Sequence, residues 1–164
     1  MPSNKRQWVL RVLLLLTLGF IWGNSLLPVR QSLSFSDASA HWLSTFLDPD
    51  SPIARFLLEN VRKIAHFAEF SLLGVELCLL KGARSRTLCG AAQTLSAGLW
   101  IAVADEALQM ISARGPRISD VLIDLGGVVH GMLWVLACTA LWQYVRQKRT
   151  AAPCAAFTET KKGE

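Results

Sequence analysis

Residues 120–145 read DVLIDLGGVVHGMLWVLACTALWQYV and hold the longest uncharged run of the chain, from Leu125 to Val145. A helix needs about 20 predominantly apolar residues to cross the hydrocarbon core of a bilayer. The stretch therefore predicts a transmembrane helix over residues 120–145. Two acidic residues, Asp120 and Asp124, stand at its beginning.

Three more apolar stretches precede it and predict transmembrane helices over residues 9–28, 63–81 and 88–108. The second is interrupted by Glu69 and Glu76, which lower its hydropathy. Hydrophobic residues make up 52% of the 164-residue chain and charged residues only 18%, a composition typical of integral membrane proteins. The sequence thus predicts an all-α membrane protein, a four-transmembrane-helix bundle formed by a single domain over residues 1–150. The small, polar residues that follow predict a disordered tail over 151–164.

The short loop between the second and third spans is strongly basic, with Lys81, Arg84 and Arg86. Basic residues also precede the first span and follow the fourth, whereas the six basic residues expected outside are accompanied by Asp37, Asp48, Asp50 and Glu59. The positive-inside rule then puts this loop, the tail and both termini in the cytoplasm, with residues 31–61 and 110–119 outside. The net charge of +5 is explained by this topology and does not indicate nucleic-acid binding.

The segment between the first and second spans predicts a partly helical extracytoplasmic loop. Ser36 and Asp37 offer an N-cap for a short helix with an apolar face that includes Trp42. Ser51 followed by Pro52 is a typical helix start, because proline fits the first helical position. The helical pattern continues from there, so we expect the second transmembrane helix to begin outside the bilayer.

The predicted topology gathers polar residues from three spans at the outer leaflet, although they are scattered along the sequence. A carboxylate at the centre of a membrane helix costs about 2.5 kcal/mol or more, so such residues are candidates for function. The candidate polar cluster comprises Lys63, His66, Glu69, Asp105, Glu106, Gln109, Arg114, Asp120 and Asp124. On the fourth span, Gly127 and Gly131 continue the face of Asp124 as a small-xxx-small pattern, which favours close helix packing.

Members of this cluster also have structural interpretations. His66 and Glu69 are three residues apart on one helix face, a spacing that often marks a structural hydrogen-bonded pair. Asp105 and Glu106 are adjacent and diverge by about 100° around a helix, so they need not act together. The Arg114 guanidinium fits two roles, neutralising a neighbouring carboxylate or clamping a phosphate or carboxylate of a ligand.

The order of these residues resembles the VanZ-like family of small bacterial membrane proteins. The resemblance rests on Lys63-x-x-His66-x-x-Glu69, Asp105-Glu106-x-x-Gln109, Arg114 and Asp120-x-x-x-Asp124-x-x-Gly127-x-x-x-Gly131, with Trp22 and Ser25 at the outer end of the first span. It covers residues 20–135. The family commonly has Asn where this chain has Asp124, and an aromatic-rich, Gly-containing stretch in place of Met110 to Ala113.

The resemblance implies a multi-pass protein of the bacterial cytoplasmic (inner) membrane with a role in the cell envelope. The founding member of the family is associated with low-level resistance to teicoplanin, a glycopeptide antibiotic that carries a lipid chain. Implied partners are membrane lipids and either a lipid-linked envelope precursor or a lipoglycopeptide, with no nucleic acid.

Several classes of function stay open at this point. In a membrane enzyme or lipid-handling protein, His66 and the carboxylates would supply a general base or bind a divalent metal, and Arg114 would hold the phosphate of a lipid-linked precursor. In a noncatalytic envelope or accessory protein, Lys63, His66 and Arg114 would neutralise the acids in a buried network that fixes helix packing. Transport and proton-coupled roles form a third class. The sequence identifies neither a substrate, nor a cofactor, nor an oligomeric state.

Overall fold

A computed structural model describes residues 3–48, 51–112, 115 and 117–159. In chain order the helices are α1 (Ser3–Leu26), α2 (Val29–Ser44), α3 (Pro52–Glu59), α4 (Val61–Lys81), α5 (Leu88–Ile111) and α6 (Ile118–Glu159), with a 3-10 turn (Gly82–Arg86) before α5. The described residues contain no β-strand. The prediction of an all-α protein is therefore confirmed.

The segment after α1 is more helical than the sequence indicates. Pro28 has extended backbone angles, φ −54° and ψ 146°, and α2 begins directly after it. Proline ends the preceding helix and favours the start of a new one, because it lacks a backbone N–H. The predicted helix start at Ser36 is wrong, since this residue lies inside α2. The predicted start at Ser51 and Pro52 is confirmed, with Ser51 extended and Pro52 in the first turn of α3.

The helix ends also differ from the predicted spans. Asn60, with φ −113° and ψ 15°, separates α3 from α4, so the second span is preceded by a bend and a further helix. The prediction of a disordered tail over 151–164 stays a prediction. The last helix continues through Glu159, beyond the predicted membrane span that ends at residue 145. Alanines at positions 151, 152, 155 and 156 have high helix propensity, which favours this continuation. Residues 160–164 lie outside the described part of the chain.

Helices α4 and α6 pack with their backbones almost in contact, and glycine makes this approach possible. An ideal Cβ atom added at Gly127 would lie 2.6 Å from the carbonyl oxygen of Phe67, and one added at Gly131 would overlap that of Ser71. Any larger residue at either position would push the two helices apart. The close pairing brings the first turns of α6 beside the middle of α4.

The distribution of polar and apolar side chains is inverted relative to a water-soluble protein. Asp105 and Asp124 are completely buried, whereas Leu15, Trp100 and Trp134 are 67%, 73% and 63% exposed. Acidic residues are seldom fully buried in soluble proteins, and large apolar side chains seldom cover an outer surface. A hydrocarbon environment accounts for both features.

Length and composition identify two candidate membrane spans among the described residues, Asn4–Leu26 in α1 and Ile118–Arg149 in α6. Helices α4 and α5 have 21 and 24 residues, but acidic side chains lower their hydropathy. These criteria therefore recognise two of the four predicted spans. Together with the exposed apolar surface, the two apolar helices indicate a membrane protein.

Candidate functional site

Four helices bring polar residues together at one end of the bundle. This end contains the last turns of α1 and α5, the first half of α4 and the first turns of α6. Ser25, Asp105 and Asp124 are buried, and only 8% of the His66 surface is exposed. We refer to His66, Asp105 and Asp124 as the buried triad.

Asp105 is held in place by two hydrogen bonds. Its Oδ1 atom accepts from Ser25 Oγ at 2.6 Å, and its Oδ2 atom accepts from Gln109 Nε2 at 3.0 Å. Gln109 lies one helical turn after Asp105, so the helix repeat places both on one face. Gln109 Oε1 in turn accepts from Arg62 Nη2 at 2.9 Å. A chain of hydrogen bonds thus connects a half-buried guanidinium with a fully buried carboxylate.

Asp124 differs from Asp105, because neither of its carboxylate oxygens has a hydrogen-bond partner among the described residues. His66 Nδ1 lies 3.4 Å from Asp124 Oδ1 and 3.9 Å from Asp105 Oδ2. These are ion-pair distances, and Nδ1 has no hydrogen-bond partner among the described residues. An unsatisfied buried polar group costs about 1–3 kcal/mol.

Glu106 makes a different contact from its neighbour Asp105. Its Oε2 atom accepts from the backbone N–H of Arg117 at 2.9 Å, while its Oε1 atom is buried without a partner among the described residues. Adjacent residues diverge by about 100° around a helix, which separates the two carboxylates. Glu106 therefore stabilises the connection between α5 and α6 through this hydrogen bond.

The two acids of α4, Glu69 and Glu76, lie at different depths. Glu69 is half-buried, one turn after His66, and its Oε2 atom is buried without a hydrogen-bond partner among the described residues. Glu76 lies two turns deeper, where its Oε1 atom accepts from Thr17 Oγ1 of α1 at 2.9 Å. Glu69 thus borders the buried triad, and Glu76 belongs to a separate contact between α1 and α4.

Other members of the predicted cluster lie at its edge. The exposed Lys63 donates to Asn60 Oδ1 at 3.2 Å, and the Asp120 Oδ1 atom accepts from Ser119 Oγ at 3.1 Å. Neither hydrogen bond involves the buried triad. Arg114, predicted to neutralise a carboxylate or clamp a ligand, lies outside the described residues.

Arg62 is the residue that the sequence reasoning misses. It precedes His66 by four residues, so both lie on one face of α4. This spacing is visible in the sequence, but a lone arginine near a helix start is usually read as a solvated outer-loop charge. Its hydrogen bond to Gln109, on another helix, depends on tertiary packing.

A cavity of about 510 Å³ opens beside the buried triad, between the α3–α4 junction and the beginning of α6. Its lining residues are Glu59, Asn60, Arg62, Lys63, His66, Gln109, Gly115, Arg117, Asp120 and Ile123. Arginine and lysine contribute three cations to this lining, against two carboxylates. We call this cavity the cationic cleft.

A second cavity, of about 440 Å³, lies between α1, α2 and α4. It is lined by Gly19, Phe20, Gly23, Asn24, Leu27, Ser39, Val61, Arg62, Ala65, His66 and Glu69. Gly19 and Gly23 leave open space beside α1, since a Cβ atom added at either would meet nothing within 4 Å. We call this cavity the apolar crevice. Arg62 and His66 line both cavities, so the polar and the apolar space meet at these two side chains.

Comparison with curated proteins and with solved structures finds no match. The family described as VanZ/LLP1 matches residues 8–141. The matched range includes the buried triad and the described lining of both cavities. The family predicted from the ordered polar residues is therefore confirmed, and the chain belongs to the VanZ/LLP1 family.

Proposed function

We propose that this protein binds the phosphate-bearing head of an amphiphilic cell-envelope lipid, at the outer leaflet of the bacterial cytoplasmic membrane. The ligand class is a lipid-linked envelope precursor, with a charged phosphate at one end and a long hydrocarbon chain at the other. The observation that carries the proposal is the meeting of the cationic cleft and the apolar crevice at Arg62 and His66.

The proposal includes four membrane spans, formed by α1, α4, α5 and α6. Each has at least 21 residues, and 20 residues of helix extend about 30 Å, the thickness of the hydrocarbon core. The acids that lower the hydropathy of α4 and α5 face the bundle interior, where membrane proteins keep functional charges. The basic turn Gly82–Arg86 favours a cytoplasmic location for the opposite end, which leaves the site at the outer leaflet.

Arg62 has donors to spare for a phosphate. A guanidinium carries five N–H groups in a fixed fork, and the hydrogen bond to Gln109 Oε1 uses one of them. Arginine forms paired hydrogen bonds with phosphate oxygens, and Lys63 beside it adds a mobile positive charge. The side chain is also anchored through Gln109 and Asp105, which limits the entropy lost on binding.

The apolar crevice suits the hydrocarbon part of the same molecule. Phe20, Leu27 and Val61 supply apolar walls, and the absence of side chains at Gly19 and Gly23 leaves a channel along α1. Transfer of each CH2 group out of water contributes about 0.8 kcal/mol to the free energy of binding. Within a bilayer the gain is smaller, because the chain leaves lipid rather than water, and the crevice then acts mainly to orient the head.

The direct test compares binding of a polyprenyl phosphate with binding of the matching polyprenol to purified protein, by native mass spectrometry. We expect the phosphate to bind more tightly. Arg62→Ala should weaken phosphate binding by about tenfold or more, since a hydrogen bond to a charged group is worth about 1.5–3 kcal/mol. Lys63→Ala leaves the Gln109 contact intact and should act in the same direction.

Arg84→Ala supplies the matched control, because Arg84 is exposed in the turn at the opposite end of the bundle. This variant should bind the phosphate as the wild type does. Equal affinity for the phosphate and the alcohol, or equal losses in Arg62→Ala and Arg84→Ala, would contradict the proposal.

Lipid handling at this leaflet also connects to the resistance associated with the founding member of the family. A lipid-bearing glycopeptide meets the membrane at the outer surface, where the composition of envelope lipids decides how it binds. Altered teicoplanin susceptibility is the cellular consequence that we expect from expression of this protein, and Arg62→Ala should remove it at equal membrane abundance.

A further inference from the structure

We infer that the buried triad of His66, Asp105 and Asp124 binds a divalent transition-metal ion, for which Zn²⁺ is the best match. This inference is independent of the proposed lipid ligand, because it rests on the geometry of the triad alone. It adds a metal site to the polar end of the bundle.

The triad has the dimensions of a metal site. One ligand atom from each of the three residues lies within 4.8 Å of the other two. The two measured His66 Nδ1 distances, 3.4 Å and 3.9 Å, are already within the range that one ion can bridge. Zinc binds imidazole nitrogen and carboxylate oxygen at about 2.0–2.2 Å, so two ligand atoms of one ion are at most about 4.4 Å apart. Because the limit for the triad is 4.8 Å, side-chain shifts of a few tenths of an ångström would bring the ligand atoms within this distance.

The unsatisfied atoms of the triad point to a ligand rather than to a structural hydrogen-bond network. Asp124 has no exposed surface, and both of its oxygens lack a hydrogen-bond partner among the described residues. His66 Nδ1, which faces both carboxylates, lacks one as well. A bound divalent cation would provide a partner to these atoms and would balance the charge of the two carboxylates.

One of the proposed metal ligands, Asp105, is already oriented by hydrogen bonds from neighbouring residues, as ligands in known metal sites are. Hydrogen bonds from Ser25 and Gln109 fix the orientation of the Asp105 carboxylate. Such outer-shell hydrogen bonds orient ligating carboxylates and sustain metal affinity. The three ligands come from α4, α5 and α6, so the bundle itself determines the spacing of the ligands.

The mixture of donors selects among metals. Magnesium and calcium prefer all-oxygen sites, whereas an imidazole nitrogen suits zinc and other late transition metals. Three protein ligands leave at least one coordination position for water or another ligand. His66 lines both the cationic cleft and the apolar crevice, so this position is close to open space.

The test measures metal content without any lipid phosphate present. Full-length protein in detergent is stripped with a chelator, equilibrated with Zn²⁺ or Mg²⁺, passed through a desalting column and analysed by inductively coupled plasma mass spectrometry. We expect wild-type protein to retain about one Zn²⁺ per chain and to reject Mg²⁺. Zinc should also raise the melting temperature.

Variants assign the ion to the triad. Asp124→Asn and His66→Gln should each lower Zn²⁺ affinity by about tenfold or more. Glu76→Gln is the matched control, since it removes another buried carboxylate of α4 at the Thr17 contact. It should retain the ion and the increase in melting temperature.

The wild-type measurements keep the inference falsifiable even if a triad variant fails to fold. Cobalt substitution should give the visible absorption bands of a low-symmetry site in the wild type. Wild-type protein that retains no zinc would overturn the inference. The same holds if folded Asp124→Asn retains as much zinc as the wild type, because the ion would then belong to other residues.

Discussion

Asp105 and Asp124 are equally buried, yet only Asp105 is satisfied by hydrogen bonds. Ser25 and Gln109 hold Asp105 from two sides, whereas Asp124 has only the ion-pair distance to His66. The two acids therefore differ in role at the scale of single residues. Hydrogen bonds fix the orientation of the Asp105 carboxylate, whereas both oxygens of Asp124 keep their full capacity for a ligand.

Removal of the Ser25 hydroxyl tests this frame. Ser25→Ala leaves Asp105 Oδ1 without its 2.6 Å donor in a fully buried position, so we expect a loss of about 1–3 kcal/mol in the free energy of unfolding. The melting temperature of purified protein in detergent reports this loss. Ser34→Ala is the control, because the Ser34 hydroxyl donates to the Gln31 carbonyl at an exposed site. Equal melting temperatures for the two variants would refute the structural role of Ser25.

The sequence predicts the participants of the site better than their contacts. Acids inside apolar runs are visible in any sequence, and Asp105 and Asp124 are identified this way. His66 is identified by its three-residue spacing from Glu69 on one helix face. Which carboxylate oxygen accepts from which donor depends on helix rotation, which hydropathy does not determine. Arg62 is missed because its place in the site depends on a contact with Gln109 on another helix. Arg114 stays a prediction, since it lies outside the described residues.

At the scale of helices, the contact between α4 and α6 determines where Asp124 lies. The backbone of α6 approaches the Phe67 and Ser71 carbonyl groups of α4 through Gly127 and Gly131. Asp124 is one turn before Gly127, so this approach carries it toward His66. Helix packing and site geometry are therefore coupled.

Two glycines of α6, Gly126 and Gly131, allow a controlled test of this coupling. A Cβ atom at Gly131 would overlap the Ser71 carbonyl oxygen, whereas one at Gly126 would meet only a Phe67 ring carbon at 3.8 Å. Gly131→Ala should therefore destabilise the protein by about 1–3 kcal/mol, the usual cost of overpacking. Gly126→Ala should be neutral or stabilising by up to about 1 kcal/mol, because alanine has the higher helix propensity. Thermal unfolding in detergent measures both, and a similar loss in both variants would contradict this account of the contact.

The apolar runs predict that the segments are helices, but they do not determine the first and last residue of each helix. A proline between two helical segments, such as Pro28, permits either a long loop or an immediate new helix, and the structure has the second. The apolar face around Trp42 indicates a helix in the outer segment, but it does not show that α2 begins as early as Val29. The first residue of α2 is determined by Pro28, which directly precedes the helix, and not by an N-cap at Ser36.

At the scale of the whole molecule, the proposed topology puts the site at the outer leaflet. Ser34 on α2 and Ala83 in the turn before α5 are both exposed and lie at opposite ends of the bundle. On a background without the four native cysteines, Ser34→Cys should react with a membrane-impermeant maleimide in intact cells. Ala83→Cys should react only after permeabilisation, because the basic turn is expected in the cytoplasm. The reverse pattern would invert the topology and move the site to the cytoplasmic leaflet.

The central claim is that Arg62 contacts a lipid phosphate where the cationic cleft meets the apolar crevice. Solid-state NMR can measure the dipolar coupling between lipid phosphorus and arginine nitrogen, in protein reconstituted into a phosphorus-free glycolipid bilayer with polyprenyl phosphate added. We predict a strong coupling to a guanidinium in the wild type, lost in Arg62→Ala and kept in Arg84→Ala. A coupling that persists in Arg62→Ala, or its absence from the wild type, would contradict the claim.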